Sequence, residues 1–215
     1  MKKIFFWIAA GLVAFAANSQ ENKSEPAKKS FLAINVGFSI PLLCYASSDI
    51  TKNTSGYAKT GYTFDVSYGY RFGQNFGITG SVFYSSNQTG KNNIVQSSGN
   101  GQFRYVGIVA GPLLTKKLFT KTDGDFKFLA GIAHAWSPKL LYHGETILNN
   151  DRNTCFAFSL GIGLRYHISD KTFLSFRVDH TQMDPKFNND ATGENIKREQ
   201  HIVVMNFDTG FGIKF

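Results

Sequence analysis

The sequence contains few of the residues that build a disulfide scaffold or a metal site. Only two of its 215 residues are cysteine, Cys44 and Cys155. Two cysteines cannot form a scaffold, and with no Cys or His companion at ligand spacing they do not predict a metal site. A single disulfide between them stays open, because an oxidising compartment would permit it.

The chain also lacks a hydrophobic run long enough to cross a membrane as a helix. Its one sustained apolar run, Ile4–Ala17, follows two lysines and precedes the small-residue sequence Ala17-Asn18-Ser19. A run of about 14 residues is shorter than the roughly 18 to 20 that a spanning helix needs, whereas the three-part pattern is typical of a secretory signal peptide. We therefore predict a signal peptide over residues 1–19 and a polar leader over residues 20–29.

Neither sign of charge is concentrated in one part of the chain. The net charge of +8 arises from 23 basic and 15 acidic residues, which are scattered along the sequence. Nucleic-acid binding needs a clustered stripe of Lys and Arg, so we predict no nucleic-acid partner. The length fits one domain, over residues 30–215.

What the chain does contain is an alternation of apolar and polar residues. The clearest case is Tyr62–Phe72, where every second residue is aromatic or Val and the residues between them include Asp65 and Arg71. Successive side chains of a strand point to opposite faces, so a period of two indicates a β-strand. The same pattern predicts eight strands, near residues 32–40, 62–72, 76–85, 102–114, 125–136, 156–167, 174–179 and 203–215.

The seven connections between these strands alternate in length. The first, third, fifth and seventh are long and polar, the second and sixth are very short, and the fourth, around residues 116–124, is intermediate. Pro41, Pro112 and Pro138 are expected at strand ends, where a missing N–H is tolerated. Long loops at one end and short turns at the other are typical of an outer-membrane barrel with its turns in the periplasm, so both termini are predicted to be periplasmic.

Alternation also fits a soluble β-barrel or sandwich, and the composition of the two faces decides between them. The polar face is dominated by Gly, Ser, Thr and Asn, which suit the crowded interior of an eight-stranded barrel, while the aromatic face suits lipid. We therefore predict an all-β fold, an eight-stranded antiparallel up-and-down transmembrane β-barrel. A structural polar network in its lumen is predicted from Asp65, Arg71, Arg165, Arg177, Asp179 and Asp208. A selectivity lining for a channel is the other interpretation of these charges.

The whole mature chain resembles the small OmpA/OmpX-like and porin-family outer-membrane barrels. The most specific part is the last strand, in which Phe211, Ile213 and the terminal Phe215 stand at alternate positions. They resemble the C-terminal signal that the barrel-assembly machinery recognises in that family. The Asn-, Lys- and Phe-rich composition also resembles barrel proteins of the Bacteroidetes. The resemblance implies an integral protein of the cell outer membrane, with the assembly machinery, membrane lipids and lipopolysaccharide as partners.

One segment invites an enzymatic interpretation. Phe176–Gln182 loosely resembles the His-x-Ser-Asn segment of lipid A deacylase barrels, with His180 on the lipid-facing side. Gln182 stands where that family needs a nucleophilic Ser, so His180 has no hydroxyl to activate. The other histidines lie on different segments, and no cofactor is predicted.

The function expected from these patterns is a non-enzymatic barrel whose extracellular loops carry a structural, envelope-interaction or surface-binding role. A narrow porin-like channel and an enzyme that modifies lipid A or phospholipid are the alternatives. Cys44 and Cys155 are both expected at the extracellular rim, but on strands that are not neighbours, so a bond would need the first loop to fold over the mouth. The oligomeric state stays open.

Overall fold

The computed structural model describes residues 29–49, 55–73, 75–90, 95–97, 101–142, 145–148, 150–189 and 196–215. The predicted signal peptide and all of the predicted leader except Lys29 lie outside these residues. In chain order the elements are β1 (Ser30–Pro41), α1 (Leu43–Ala46), β2 (Gly61–Arg71), β3 (Phe76–Gln88), β4 (Val95–Ser97), β5 (Gln102–Phe119), β6 (Thr122–Trp136), β7 (Leu140–Tyr142), β8 (Glu145–Leu148), β9 (Arg152–His167), β10 (Thr172–Met183), β11 (Lys186–Asn189), β12 (Ile196–Glu199) and β13 (Ile202–Lys214).

Eight of these strands form a closed antiparallel barrel in the order β1-β13-β10-β9-β6-β5-β3-β2. Each strand pairs with the next along the chain, and β13 returns to β1 through a ladder from Phe31–Lys214 to Pro41–Val204. Closure leaves no barrel strand with an unpaired edge, which hydrocarbon requires. The predicted eight-stranded up-and-down barrel is confirmed.

The two ends of the barrel differ. The start of β1, the C-terminal Phe215 and the short connections lie at one end, called here the turn end, and the long connections lie at the other, the loop end. Two small sheets stand within the loop-end connections: β11 pairs with β12, and β7 pairs with β4 on one side and with β8 on the other. Among the described residues, α1 is a single turn and no helix is long enough to span a membrane.

The prediction for the fourth connection is wrong. β5 continues to Phe119 and β6 begins at Thr122, so the strands meet in a turn at Thr120-Lys121 with a register shift between Lys117 and Phe119. The lysines in this stretch favour a loop when the sequence is considered alone. In the structure they belong to two paired strands, because at the turn end their side chains can reach water.

Pro112 also departs from its predicted place, since it lies inside β5 rather than at a strand end. It pairs with Ile78 on β3, while the β5–β6 pairing passes from Ala110 to Leu113 and omits Gly111 and Pro112. A proline has no N–H to donate, so the ladder to β6 is interrupted at this point.

The outer surface is apolar along every strand of the barrel. Phe38 is 67% exposed and Phe156 is 66% exposed, and both point away from the lumen. A continuous apolar surface of this kind is unfavourable in water but suits contact with the hydrocarbon of a lipid bilayer. The alternation that predicted the strands therefore sorts lipid-facing from lumen-facing side chains.

Candidate functional site

The lumen is filled by three layers of side chains. Carboxylates and cations form a central layer, a second charged layer lies at the turn end, and an apolar plug lies at the loop end. The strand period brings them together, because every second residue of each strand points inward.

The central layer is built around Arg177 on β10. Its guanidinium lies 2.7 Å from Asp65, 3.3 Å from Asp179 and 3.1 Å from Asp208, measured between Nη and Oδ atoms. Lys127 Nζ on β6 lies 3.0 Å from Asp179 Oδ2. All three carboxylates are buried, so three anions face two cations inside the barrel. Removing either cation would leave the three buried carboxylates with a single cation.

Neutral groups complete the surroundings of Asp65. Asn35 Nδ2 donates to Asp65 Oδ1 at 3.1 Å, and Ser81 Oγ donates to Asp65 Oδ2. Ser175 Oγ donates to Asn35 Oδ1 at 2.5 Å, which ties β10 to β1 across the lumen. Buried charges are tolerated when hydrogen bonds satisfy their remaining lone pairs.

Gly161 makes room for this layer. A Cβ at that position would meet Asp179 Oδ1 and would lie 2.5 Å from Lys127 Cε. Only a glycine on β9 therefore allows the Lys127–Asp179 ion pair to lie flat against the barrel wall.

The turn-end layer contains Arg165 on β9. Its Nε and Nη2 donate to the two oxygens of Asp125 at 2.5 and 2.7 Å, a bidentate pair, and Nη2 also donates to Thr115 Oγ1 at 3.1 Å. The guanidinium carbon lies 4.5 Å above the ring centre of Phe31 and 5.6 Å from that of Phe173. This stacking closes the lumen beside the charges, because both rings point inward.

A second cluster of this layer lies around Asp123. His167 Nε2 is 2.8 Å from Asp123 Oδ2, and Arg71 Nη1 is 4.0 Å from the same oxygen. The contact of Arg71 is thus much looser than that of Arg165 or Arg177.

The loop-end plug is apolar and includes a residue of the first loop. Tyr45 of α1 is fully buried, with its ring edge-on to Phe103 at 5.3 Å between centroids. The buried residues packed with them include Phe83, Tyr105, Ala133, Ala135, Ala157, Met183, Phe187, Ile202 and Val204. The Tyr45 hydroxyl has no hydrogen-bond partner among the described residues, and burial beside Tyr105 raises the pKa of Tyr45 well above its usual value.

Local backbone conformation directs α1 inward. Leu43 and Tyr57, at the two sides of this segment, adopt positive φ of 54° and 56°, which is unusual for residues other than glycine. Gly56 N donates to Cys44 O at 2.9 Å, and a Cβ on Gly56 would lie 2.6 Å from Tyr45 O. The segment therefore packs too closely for a side chain at Gly56.

A hydrogen-bonded group joins the plug to the barrel wall. Tyr105 Oη donates to Asn87 Oδ1 at 3.0 Å and lies 3.1 Å from Ser39 Oγ. Asn87 Nδ2 donates to Ser39 O at 2.9 Å and to Lys59 O at 3.0 Å. These hydrogen bonds connect β1, β3 and β5 with the first loop.

Little space is left between these layers. A cavity of about 30 Å³ lies between the central and turn-end layers, and another of about 20 Å³ lies beside Asp179 and Asp208. A single water molecule needs roughly 10 to 15 Å³ measured in this way, so each cavity has room for no more than one or two waters. A further hollow of about 1400 Å³ is lined mostly by outward-facing apolar residues such as Phe38, Phe64 and Phe176, and also touches Arg177 and Asp208.

All six charged residues predicted for the lumen point inward, in two groups. Asp65, Arg177, Asp179 and Asp208 share the central layer, while Arg71 and Arg165 lie in the turn-end layer. Sequence reasoning missed four partners of these residues: Asp123, Asp125, Lys127 and His167. The signal was present for three of them, because Asp125 and Lys127 alternate with outward Phe126 and Phe128, and His167 follows the polar parity of its strand.

The remaining sequence candidates lie apart from the lumen network. Phe211, Ile213 and Phe215 are exposed on the outer surface, and their recognition during assembly stays a prediction. Cys44 and Cys155 are both at the loop end and are free thiols, with no disulfide between them. Cys155 is partly buried against the loop-end plug.

His180 lies on the outward side of β10. Its cross-strand neighbours are Leu160 on β9 and Met205 on β13, and neither supplies a hydroxyl. No group of three or more His, Cys, Asp or Glu residues able to hold a metal occurs within the described residues. The two residues paired with His180 therefore offer it no nucleophile for acyl transfer.

Comparisons with known proteins agree with this architecture. The family model for the outer membrane protein beta-barrel domain matches residues 7–215. Neisserial surface protein A from Neisseria is similar in structure at 12% identity, with a TM-score of 0.55 over 86% of this chain and 97% of that chain. OprG from Pseudomonas aeruginosa is similar at 13% identity, with a TM-score of 0.51 over 87% and 97%.

Ail, the attachment invasion locus protein of Yersinia pestis, aligns at 17% identity with a TM-score of 0.48, over 87% of this chain and 99% of that chain. At these identities the structural likeness concerns the fold alone. No curated protein matches the chain in sequence.

Proposed function

Because the chain belongs to the outer membrane protein β-barrel family, we propose that it is a non-enzymatic integral barrel whose loop end faces the cell exterior. Its termini would face the periplasm. The loops at the outer end would carry a structural, envelope-interaction or surface-binding role on a rigid scaffold.

The filled lumen is the observation that supports this proposal. Two charged layers and the loop-end plug fill the lumen, and the cavities between the layers measure about 30 and 20 Å³. Ion pairs and packed rings across an eight-stranded lumen stabilise the wall and obstruct passage. A scaffold fits this interior better than a conduit.

Planar-bilayer recording tests the closed lumen. Folded protein, identified by its heat-modifiable gel mobility, should produce no reproducible conductance steps. Steps that scale with the amount of folded protein would instead favour the narrow porin-like channel.

The orientation can be tested with two exposed positions in a chain in which Cys44 and Cys155 are replaced by serine. Ser48 lies in the first loop at the loop end, and Lys121 lies in the β5–β6 turn. A Ser48→Cys variant should react with a membrane-impermeant maleimide on intact cells, and a Lys121→Cys variant only after the outer membrane is permeabilised. The reverse pattern would overturn the proposed orientation.

The enzymatic alternative predicts turnover. Purified barrel incubated with lipid A or phospholipid should leave their masses unchanged. Deacylated product that disappears in a His180→Ala variant would overturn the non-enzymatic assignment.

A further inference from the structure

Three residues on the outer wall stand side by side at the loop end. Trp136 on β6 lies directly opposite Arg104 on β5 and directly opposite Arg152 on β9. All three have the outward parity of their strands, and both arginines are exposed. Since neighbouring strands are about 4.8 Å apart, the indole has a guanidinium on each side within reach of one bound group.

The outer wall becomes apolar two rows below this one. The next row toward the turn end contains His134 and Thr154, and the one after it contains Ile132 and Phe156. Ile132 is 57% exposed and points outward like Phe156. Trp at the boundary between an apolar wall and cationic residues is typical of the membrane interface. The Arg–Trp–Arg row therefore lies at headgroup depth.

The row that contains His134 and Thr154 holds Trp136 in place. The His134 ring packs edge-on against the indole, with 4.5 Å between centroids, and His134 Nδ1 lies 2.8 Å from Thr154 Oγ1. An indole fixed in this way presents a defined face to its neighbours.

A hollow of about 630 Å³ opens beside this row. It is lined by Trp136, Arg104 and Tyr84, and by Lys139 just beyond β6. Within the described part of the chain, no carboxylate is ion-paired with Arg104, Arg152 or Lys139. The one acidic residue adjacent in sequence is Asp151, whose backbone is bound to Ser137. Three cations around one indole thus remain available to an external anion.

We propose that this row binds the phosphate groups of a phosphorylated glycolipid of the lipid A type in the adjoining leaflet. Guanidinium groups bind phosphate in a bidentate manner, and the apolar wall below would contact the acyl chains of the same molecule. The inference rests on the proposed function for its choice of leaflet, because that orientation places the loop end at the outer surface.

Trp136 makes the site observable. The sequence has two tryptophans, and the other is Trp7 within the predicted signal peptide, so a Trp7→Phe chain reports from Trp136 alone whether or not the peptide is removed. In phosphatidylcholine nanodiscs, lipid A carrying its two phosphates should shift the indole emission saturably. Lipid A from which the phosphates have been removed should not.

Charge variants separate this site from general attraction to anionic lipid. An Arg104→Gln, Arg152→Gln double variant should raise the half-saturating lipid A concentration about tenfold. Lys121→Gln, which removes an exposed cation at the turn end, should leave it unchanged. Heat-modifiable mobility establishes that each variant is folded.

Three results would overturn the proposal: an equal response to the dephosphorylated lipid, an unchanged half-saturation in the double variant, or saturation by inorganic phosphate at the same concentration. Nanodiscs offer both faces to the lipid, so the titration does not depend on orientation. Reversed cysteine labelling with intact lipid A binding would therefore reject the proposed orientation alone.

Discussion

The two halves of the lumen are filled by different means. Toward the turn end the filling is ionic, and Arg177 and Arg165 each contact carboxylates from other strands. Toward the loop end it is apolar, and its central residue, Tyr45, comes from the first loop rather than from a strand. One half is thus specified by strand parity, and the other depends on the fold of a connection.

This difference has an energetic side. Buried charges contribute little net stability when paired but cost several kcal/mol when one partner is lost. Apolar contacts are lost in proportion to the atoms removed. A single substitution in the charged half should therefore lower the free energy of unfolding sharply. A substitution in the apolar half should lower it in proportion to the atoms removed, with an effect confined to that end.

The largest effect is expected at the centre of the charged half. Arg177→Met keeps an unbranched side chain but leaves Asp65, Asp179 and Asp208 with only Lys127 as a cation. We expect a loss of about 3 to 5 kcal/mol in the free energy of unfolding, measured by urea titration in micelles. Arg152→Met, on the exposed outer wall, serves as the control. Similar losses in the two variants would contradict a brittle charged layer.

The next effect is expected in the plug. Tyr45→Ala removes a fully buried ring and should cost about 3 kcal/mol, with the loss confined to the loop end. Cys155 borders the plug and reports on it, so its maleimide labelling should accelerate while the barrel stays heat-modifiable. Leu43→Ala, on an exposed side chain of the same helical turn, should leave the rate unchanged. Equally slow labelling of Cys155 in the Tyr45→Ala and Leu43→Ala variants would mean that Tyr45 does not hold the plug together.

A smaller effect distinguishes the hydroxyl of Tyr45 from its ring. Its pKa is raised in the folded state, so the unfolded state releases the proton first, near pH 10, and stability falls as the pH rises above that value. Tyr45→Phe lacks this contribution. The urea midpoint should therefore fall more between pH 9 and pH 11 in the parent than in the variant, and equal falls would refute the assignment.

The smallest effect is expected for Arg71. Its Nη1 lies 4.0 Å from Asp123, compared with 2.5 Å between Arg165 and Asp125. Arg71→Gln should therefore lower the free energy of unfolding by less than Arg177→Met does, measured in the same urea titration. A loss as large as that of Arg177→Met would show that the turn-end layer is as brittle as the central one.

The alternation in the sequence predicted the strands because each side chain of a barrel strand faces either the outer wall or the lumen. The segment predicted over residues 62–72 is β2 (Gly61–Arg71), and its Asp65 points inward as its parity requires. Within β5, Tyr105, Val109 and Leu113 have the opposite parity to Val106 and Ile108, so the sequence alone does not show which set faces outward. The structure resolves this, since the first three are buried inside the barrel and Ile108 faces outward.

Other features were not accessible from the sequence. Tyr45 has no periodic neighbours to mark it as buried, and its position depends on positive φ at Leu43 and on Gly56. The Arg104–Trp136–Arg152 row depends on the register of three strands, which residue spacing along one strand cannot provide. Pairing between strands is therefore where the structure adds most.

The seam between β1 and β13 has a kinetic consequence. It joins Ser30 to Phe215 through two backbone hydrogen bonds, 3.1 and 3.0 Å long, so the first and last barrel segments must meet before the sheet closes. Contacts separated by nearly the whole described chain carry the highest loop-closure cost and form late. Until β13 is in place, β1 and β10 would each present an unpaired edge, so an interrupted chain would be prone to aggregate through those edges.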